Sequence, residues 1–145
     1  AKKRGIRVPL VRHVNLADSV LVLEYIDAPT AKIALSKKNA WICPALGKII
    51  AALHAGDLIH GDLTTSNVLV KEKELVLIDF GLGFYSAKVE DKATDLLNLK
   101  KMFGATHPDV SDGWELIMDA YQNAYADGQR VVALIAEIES RTRYS

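Results

Sequence analysis

Hydrophobic positions along this chain follow two patterns, short runs bounded by polar turns and stripes at helical spacing. The runs at 8–14 and 19–25 are rich in strand-forming residues and flank the turn-forming segment 15–18, which predicts a β-hairpin. Two more apolar runs, 68–70 and 75–78, flank a charged turn and predict a second hairpin. Strands are therefore expected in pairs, each pair joined by a short turn.

The helical stripes place an aliphatic or aromatic residue at every third or fourth position. They predict helices over residues 30–38, residues 41–55, residues 90–103, a segment capped by Ser111 or Asp112 that displays Trp114 to Tyr125, and residues 129–140. Pro44 is tolerated in the first turn of the second helix, Gly56 closes that helix, and His107-Pro108 ends the third. An irregular segment is expected at 82–89.

Length and composition fit one small domain, because 145 residues, half of them hydrophobic, can bury a single core. The formal net charge is zero, so no global basic field exists that would by itself bind nucleic acid or an anionic membrane. Cys43 is the only cysteine, which excludes an intrachain disulfide. With no membrane span and no signal sequence, we expect a cytoplasmic protein, also nuclear in a eukaryote.

The chemistry lies in residues 60–67, which read His-Gly-Asp-Leu-Thr-Thr-Ser-Asn, and in Asp79-Phe80-Gly81. Asp62 can approach an attacking hydroxyl while Asn67, five residues later, turns toward a magnesium ion on nucleotide phosphates. The second hairpin returns Asp79 beside Asn67, and two hard oxygen ligands suit Mg²⁺ better than a metal that prefers nitrogen or sulfur. The motif therefore predicts a phosphotransfer site that uses Mg-ATP.

Each of these residues also has a purely structural interpretation. Asp62 can cap a turn, Asn67 can be an ordinary turn residue, and Asp79 can end a strand before a glycine. Their joint occurrence, with His60 two residues before Asp62, favours the functional interpretation. His60 has apolar neighbours, so we expect a packed, hydrogen-bonded structural histidine rather than a catalytic base. Asp57 is expected to face solvent and is assigned no role.

Four motifs narrow the choice among kinase-like enzymes: Gly5-Ile6-Arg7-Val8-Pro9, Gly61-Asp62-Leu63-Thr64-Thr65-Ser66-Asn67, Leu77-Ile78-Asp79-Phe80-Gly81-Leu82 and Glu90-Asp91-Lys92-Ala93-Thr94-Asp95-Leu96. The H-x-D-x-x-x-x-N spacing alone fits any such enzyme, whereas Thr64-Thr65-Ser66 and the short route from Gly81 to Asp95 are specific. With these motifs, residues 5–103 resemble the small atypical kinase of the KEOPS complex, also called the p53-related protein kinase family. The likeness is weak beyond Pro108.

The resemblance implies an α+β, protein-kinase-like fold, made mainly of the helical C-terminal lobe. Residues 1–26 correspond to a remnant of the small lobe, with two strands and the hinge. Residues 27–145 correspond to the C-terminal lobe. The Gly-rich loop, the strand lysine and the helix glutamate of a complete kinase do not occur before the hinge. We therefore expect residues 1–145 alone to be inactive.

The resemblance also implies roles in the catalytic loop. Asp62 corresponds to the catalytic aspartate, and Asn67 and Asp79 correspond to the metal ligands. Asp95 corresponds to the helix carboxylate that braces the catalytic loop, and His60 is expected to support the same loop.

A second set of implied residues would bind the ATP cofactor. Glu24 and Ile26 correspond to the hinge whose backbone binds adenine. Leu69 and Ile78 correspond to side chains on the floor of the nucleotide pocket. The implied cofactors are thus ATP and Mg²⁺.

The function implied by the resemblance is an ATP-dependent serine/threonine kinase that acts largely as an ATPase, in the assembly that installs threonylcarbamoyladenosine in tRNA. Its expected partners are the threonylcarbamoyl-transferring subunit and other KEOPS subunits. No basic tail is evident after Arg143-Tyr144-Ser145, so tRNA is expected to bind only through the complex, and no membrane partner is expected. Apolar stripes between residues 90 and 140 are expected to dock a subunit, unless they pack on one another.

Three departures from the usual kinase motifs bear on regulation and activity. Gly61 replaces the arginine of H-R-D, and no A-P-E sequence follows Gly81, so ordering by phosphorylation is not expected and partners should switch the site. Thr64 stands where many protein kinases place a lysine, which argues against efficient protein phosphorylation.

Three alternatives remain. A small-molecule phosphotransferase of the aminoglycoside or choline kinase type uses a similar loop, but it needs more helices than the short stretch after Pro108 supplies. A RIO-type kinase shares the Gly-Asp-Leu opening, but Asp79-Phe80-Gly81 argues against that class. A non-catalytic nucleotide-binding scaffold is the third alternative, and ATP turnover would distinguish it from an enzyme.

Overall fold

The computed structural model describes residues 1–143, without the side chains of Arg4 and Arg143. Its α-helices are α1 (Ala31–Ala34), α2 (Ile42–His54), α3 (Val89–Thr106), α4 (Gly113–Ala124) and α5 (Gly128–Arg143). Its strands are β1 (Val11–Asn15), β2 (Val20–Leu23), β3 (Leu58–Ile59), β4 (Val68–Lys71), β5 (Glu74–Leu77) and β6 (Phe84–Tyr85). The expectation about a tail at Tyr144-Ser145 lies outside these residues.

The strands pair in three antiparallel ribbons, β1 with β2, β4 with β5, and β3 with β6. Both predicted hairpins are confirmed, and in the second Val68 lies opposite Leu77. Strand β6 falls within 82–89, where an irregular segment was expected. The expectation is wrong because pairing with β3, which is distant in sequence, orders this segment.

The predicted helix over 30–38 is interrupted. Helix α1 ends at Ala34, Leu35 is extended with φ −69° and ψ 126°, and a 3₁₀ turn covers Lys37–Asn39. Leu35 is buried in the core, so packing of this side chain overrides the helical pattern. The other four helices form within a few residues of their predicted bounds, and α2 ends at His54 without a left-handed conformation at Gly56.

The core lies between the helices and the β4–β5 hairpin. Its largest fully buried side chains are Ile42, Leu46, Ile50, Leu53, His54, Ile59, Leu63, Leu77, Leu96, Leu99, Ile117 and Tyr121. Helices α2 and α4 approach so closely at Gly47 that a Cβ there would lie 2.2 Å from the carbonyl oxygen of Ile117. A glycine is therefore required at this crossing.

The apolar stripes of the last three helices face this core. Between residues 90 and 140, Met102 is the one large hydrophobic residue that is exposed within the described part of the chain. The stripes therefore pack on one another, and the predicted excess of apolar docking surface on these helices is wrong. Exposed apolar side chains lie instead on the β1–β2 hairpin and around β6.

The first ten residues contact the core and the second hairpin. Ile6 is buried in the same core as the helices, and the Leu77 N–H donates to the Arg7 carbonyl over 3.0 Å. The boundary at residue 26 between a small-lobe remnant and the C-terminal lobe stays a prediction. Among residues 1–143, no helix has the length and apolar character needed to cross a bilayer.

Candidate active site

The loop between β3 and β4 brings Asp62 and Asn67 together. Asn67 ends a 3₁₀ turn over Thr65–Asn67, and its Nδ2 donates to the main-chain oxygen of Asp62 at 2.9 Å and to the Asp62 carboxylate at 3.0 Å. Because both bonds use the amide nitrogen, the Asn67 Oδ1 is left as an acceptor. The Asp62 side chain is exposed, as access to a substrate hydroxyl requires.

Asp79 follows β5 and lies near Asn67. The Ile78 N–H donates to the Asn67 carbonyl over 3.0 Å, which places the residue after Ile78 next to the loop. Asp79 has φ 60°, a left-handed conformation, and its Oδ1 accepts a hydrogen bond from the Gly81 N–H at 3.3 Å. Such a conformation outside glycine costs about 1–3 kcal/mol and is concentrated at functional sites. The hairpin thus returns Asp79 toward Asn67, as the spacing predicts.

His60 joins the catalytic loop to the end of β5. Its ring is fully buried, and its Nε2 lies 3.0 Å from the Ile78 carbonyl oxygen. A carbonyl only accepts, so the proton is on Nε2, and Nδ1 accepts from the Asp62 N–H at 3.3 Å. This geometry is that of a structural histidine, as expected from its apolar neighbours.

Asp95 on α3 accepts hydrogen bonds from consecutive main-chain amides of the same loop. Its Oδ2 accepts from the His60 N–H and its Oδ1 from the Gly61 N–H, both at 3.0 Å. The carboxylate is buried, and such charge-assisted bonds are stronger than neutral ones. The geometry matches the bracing position that the resemblance implies for Asp95.

Two buried residues extend this brace and were missed in the sequence. His54 Nε2 lies 3.2 Å from Asp95 Oδ2, and His54 Nδ1 lies 2.8 Å from the Tyr121 hydroxyl. A carboxylate only accepts, so His54 Nε2 carries a proton and donates to Asp95. Burial raises the pKa of Tyr121 far above its usual value. The sequence feature that could have indicated this extension is a histidine, His54, within the apolar stripe of α2.

Gly61 is required by both its conformation and its surroundings. Its φ is 83°, and a Cβ there would lie 2.3 Å from the Leu82 carbonyl oxygen. No side chain fits without displacing the segment after Asp79-Phe80-Gly81. The absence of the H-R-D arginine is therefore built into the backbone geometry of this site.

Asp57, which was expected to have no role, forms an ion pair. Its carboxylate accepts from the buried Lys92 Nζ at 2.7 Å, and the same nitrogen donates to the Tyr125 hydroxyl at 2.9 Å. Burial lowers the pKa of Lys92, but the hydrogen bonds to Asp57 and Tyr125 outweigh it and raise the pKa overall. The Asp57 carbonyl also accepts from the Ser86 N–H at 2.7 Å, so this turn holds β3 and β6 in place.

The expected hinge contains a second ion pair. Arg7 donates to both oxygens of Glu24, at 2.7 and 3.1 Å, and the Leu10 N–H donates to the same carboxylate at 3.0 Å. The hydrogen bond from Arg7 is the main cause that lowers the pKa of Glu24 to about 2. Ile26 is buried, and its main-chain N–H and C=O have no partner in residues 1–143. The Glu24 side chain thus anchors the segment that is predicted to be the hinge.

The two residues predicted to floor the nucleotide pocket lie in or next to the second hairpin. Leu69 is in β4 and pairs across an isolated bridge with Thr30, so the segment that follows the predicted hinge contacts this strand. Ile78 follows β5, and both side chains are half-buried. Leu69 thus lies beside the start of α1, and Ile78 lies beside Asn67, whose carbonyl accepts from the Ile78 N–H.

The donor set fits Mg²⁺ bound with a nucleotide. Asn67 and Asp79 offer an amide oxygen and a carboxylate, which are hard ligands, with water and phosphate oxygens to complete an octahedron. In the described chain no three His, Cys, Asp or Glu side chains cluster as a metal site of their own. A pair of hard ligands suits a metal that arrives with the phosphates of a nucleotide.

A family model defines the class of the protein. Residues 1–111 match the model described as RIO domain, so the chain belongs to the RIO domain family. The expectation that Asp79-Phe80-Gly81 argues against this class is wrong, because the match extends over 111 residues and three residues at a strand end do not outweigh it.

The relatives make the comparison more specific. The chain is 40% identical to a Methanosphaera stadtmanae protein named probable bifunctional tRNA threonylcarbamoyladenosine biosynthesis protein, over 99% of this chain and 26% of the relative. It is 36% identical to the EKC/KEOPS complex subunit bud32 of Dictyostelium discoideum, over 98% of this chain and 61% of the relative. The chain therefore spans about a quarter of the first relative and three fifths of the second. The predicted family resemblance is confirmed.

Two solved structures share the fold. WaaP in complex with acyl carrier protein has a TM-score of 0.65 at 14% identity, over 99% of this chain and 72% of that chain. A choline/ethanolamine kinase family protein from Mesorhizobium loti has a TM-score of 0.59 at 20% identity, over 90% and 61%. At these identities the likeness concerns the fold alone, and it confirms the predicted α+β, kinase-like class.

Proposed function

We propose that this chain is the kinase-like part of an ATP-dependent subunit that acts in tRNA threonylcarbamoyladenosine biosynthesis within a KEOPS complex. The observation that carries the proposal is the approach of Asp62, Asn67 and the Asp79 segment on a loop braced by Asp95, in a RIO domain. The relatives from Methanosphaera and Dictyostelium, through their names, support the pathway and the complex. The proposed activity is that of an atypical serine/threonine kinase working largely as an ATPase.

Each site residue has a proposed role in that activity. Asp62 orients the attacking hydroxyl or water, and the hydrogen bond from the Asn67 side-chain amide holds the Asp62 carboxylate in one direction. Asn67 Oδ1 and Asp79 hold Mg²⁺, which when bound neutralises charge on the transferred phosphate. His60 and Asp95 keep the loop backbone in place.

The nucleotide is proposed to lie against the second hairpin. Main-chain groups of Glu24 and Ile26 bind adenine, while Leu69 and Ile78 form the floor beneath it. Two observations support this placement: the main-chain N–H and C=O of Ile26 have no partner within residues 1–143, and Arg7 anchors Glu24.

The proposed partners are the threonylcarbamoyl-transferring subunit and other KEOPS subunits, with tRNA bound through the complex. The Methanosphaera relative is named bifunctional, and this chain spans 26% of it, which supports close association with a second activity. The phosphotransferase alternative gains nothing beyond a shared fold with the choline/ethanolamine kinase family protein.

Reconstitution of tRNA modification tests the proposal. The intact protein is combined with its partner subunits and tRNA, and threonylcarbamoyladenosine is measured by mass spectrometry of the nucleosides. We expect formation to require the intact protein, ATP and Asp62. Undiminished formation when this subunit is omitted, or when Asp62→Ala replaces it, would contradict the proposal.

A further inference from the structure

A buried hydrogen bond connects the catalytic loop to the end of α3. Thr65 begins the 3₁₀ turn that ends at Asn67, and its Oγ1 lies 2.9 Å from Nε2 of His107. Thr65 is 4% exposed and His107 is 5% exposed, so water does not compete for this bond. None of the roles assigned above uses either side chain.

The imidazole of His107 is held by its own backbone and by its neighbours. The main-chain N–H of His107 donates to the Phe103 carbonyl at 2.8 Å, and the main-chain carbonyl of His107 accepts from the Val110 N–H at 3.2 Å. The Phe103 and His107 rings pack with centroids 5.0 Å apart. Desolvation lowers the pKa of His107, so an uncharged ring presents Nε2 to the Thr65 hydroxyl.

The Thr65 bond bears directly on Asn67, because the two residues belong to the same three-residue turn. The Asn67 N–H donates to the Thr64 carbonyl at 3.1 Å, and its side-chain amide is fixed on Asp62. A turn of this length leaves Asn67 few independent degrees of freedom once its first residue is held. The direction of Asn67 Oδ1 therefore depends on where Thr65 is anchored.

We infer that His107, acting through Thr65, is a positioning residue for the metal ligand Asn67. This inference rests on the proposed function, since it assumes that Asn67 holds a nucleotide-bound divalent cation. Residues behind a metal ligand often change metal affinity about 10- to 100-fold when replaced. The expected effect here lies at the low end, because Asn67 shares the cation with Asp79 and with phosphate oxygens.

The test measures Mn²⁺ binding to the intact protein with ADP, by electron paramagnetic resonance, so that no turnover is needed. Thr65→Val removes the hydroxyl at constant shape, Thr65→Ser retains it, and His107→Phe removes Nε2. Ser66→Ala is the matched control, because Ser66 is exposed in the same turn and its hydroxyl has no partner in the described residues.

We expect Thr65→Val and His107→Phe each to weaken Mn²⁺ binding about tenfold, while Thr65→Ser and Ser66→Ala stay within about threefold of the parent protein. ADP affinity without metal should not change. The double variant Thr65→Val/His107→Phe should bind Mn²⁺ no more weakly than either single variant, because each substitution removes the same hydrogen bond. If His107→Phe fails to fold, the Val and Ser variants at position 65 decide the question.

Two results would overturn the inference. One is parental Mn²⁺ affinity in Thr65→Val, and the other is an equal loss in Thr65→Ser. Failure of the parent protein itself to bind Mn²⁺ with ADP is a different result, because it would remove the proposed function as well.

Discussion

The catalytic loop and the β1–β2 hairpin differ in how much of their surroundings residues 1–143 provide. In the loop, Asp95 accepts from two main-chain amides, and His60 links the loop to β5. In the hairpin, most side chains are exposed although many are apolar, with Leu16 88% and Val11 61% exposed. Exposed apolar surface of this kind is characteristic of contact sites.

The difference shows that residues 1–143 determine the geometry of the loop by themselves but do not cover the hairpin. The loop is fixed by hydrogen bonds to Asp95 on α3 and to Ile78, just after β5, and His54 on α2 contacts Asp95 in turn. The hairpin has no covering layer in the described residues. Substitutions at the loop should therefore affect activity strongly, and comparable substitutions on the hairpin tip should not.

Among substitutions outside the proposed catalytic and metal-binding residues, the largest effect is expected for Gly61→Arg in the intact protein. A side chain there meets the Leu82 backbone at a left-handed position, so the loop and the segment after Asp79 must separate. Displacements of about 1 Å in a catalytic geometry cost roughly 10²-fold in rate, and ATP turnover should fall by at least that factor. Leu16→Arg, on the exposed hairpin turn, is the control and should leave turnover within about twofold. Near-parental turnover in Gly61→Arg would show that the loop is not fixed as described.

The Asp57–Lys92 pair should give the next largest effect, on stability. Asp57→Asn keeps a residue that tolerates φ 55° but leaves the Lys92 ammonium buried beside a neutral partner. Because Asp57 is half-exposed, we expect a loss of about 2 kcal/mol in the free energy of unfolding rather than the cost of a fully buried pair. Chemical denaturation measures it, with Asp119→Asn on the exposed face of α4 as control. A change no larger than the control's would mean that the pair contributes nothing.

What the sequence predicted well was local. Asp62, Asn67 and Asp79 belong to contiguous motifs joined by one hairpin, and their placement follows from that hairpin. His54, Lys92 and His107 were not assigned roles because their partners lie 41, 35 and 42 residues away in the chain. A single sequence contains no information about such pairings, since each residue type there has several common surroundings.

The same limit explains the wrong secondary-structure predictions. The pattern over 30–38 is helical, but burial of Leu35 interrupts it, and β6 is ordered by a partner strand that no local pattern reveals. The rejection of the RIO class was wrong for a different reason, because it relied on a single local motif. The RIO alternative was set aside on Asp79-Phe80-Gly81, whereas the family model draws on 111 positions.

The smallest effect is expected at the hinge and should depend on pH. Glu24 has a folded pKa of about 2 against an ordinary value of 4.5, so its stabilising effect is present above pH 4.5 and is lost as pH falls toward 2. Glu24→Gln should therefore lower the unfolding temperature at neutral pH, and its difference from the parent should shrink below pH 4.5. Glu72→Gln, on an exposed turn, is the control. A difference that stays constant from pH 7 to pH 2 would show that the Arg7–Glu24 pair does not act through charge.

The central claim is the division of labour between Asp62 and Asp79. Calorimetric titration of a non-hydrolysable ATP analogue with Mg²⁺ into the intact protein and its variants at these two positions tests it most directly. Asp62→Ala should lower ATP turnover by about 10²- to 10⁴-fold, because an orienting carboxylate acts on the transition state, yet it should keep parental affinity for a non-hydrolysable ATP analogue with Mg²⁺. Asp79→Ala should weaken the magnesium-dependent part of that affinity about tenfold or more. An equal loss of affinity in both variants would contradict the account.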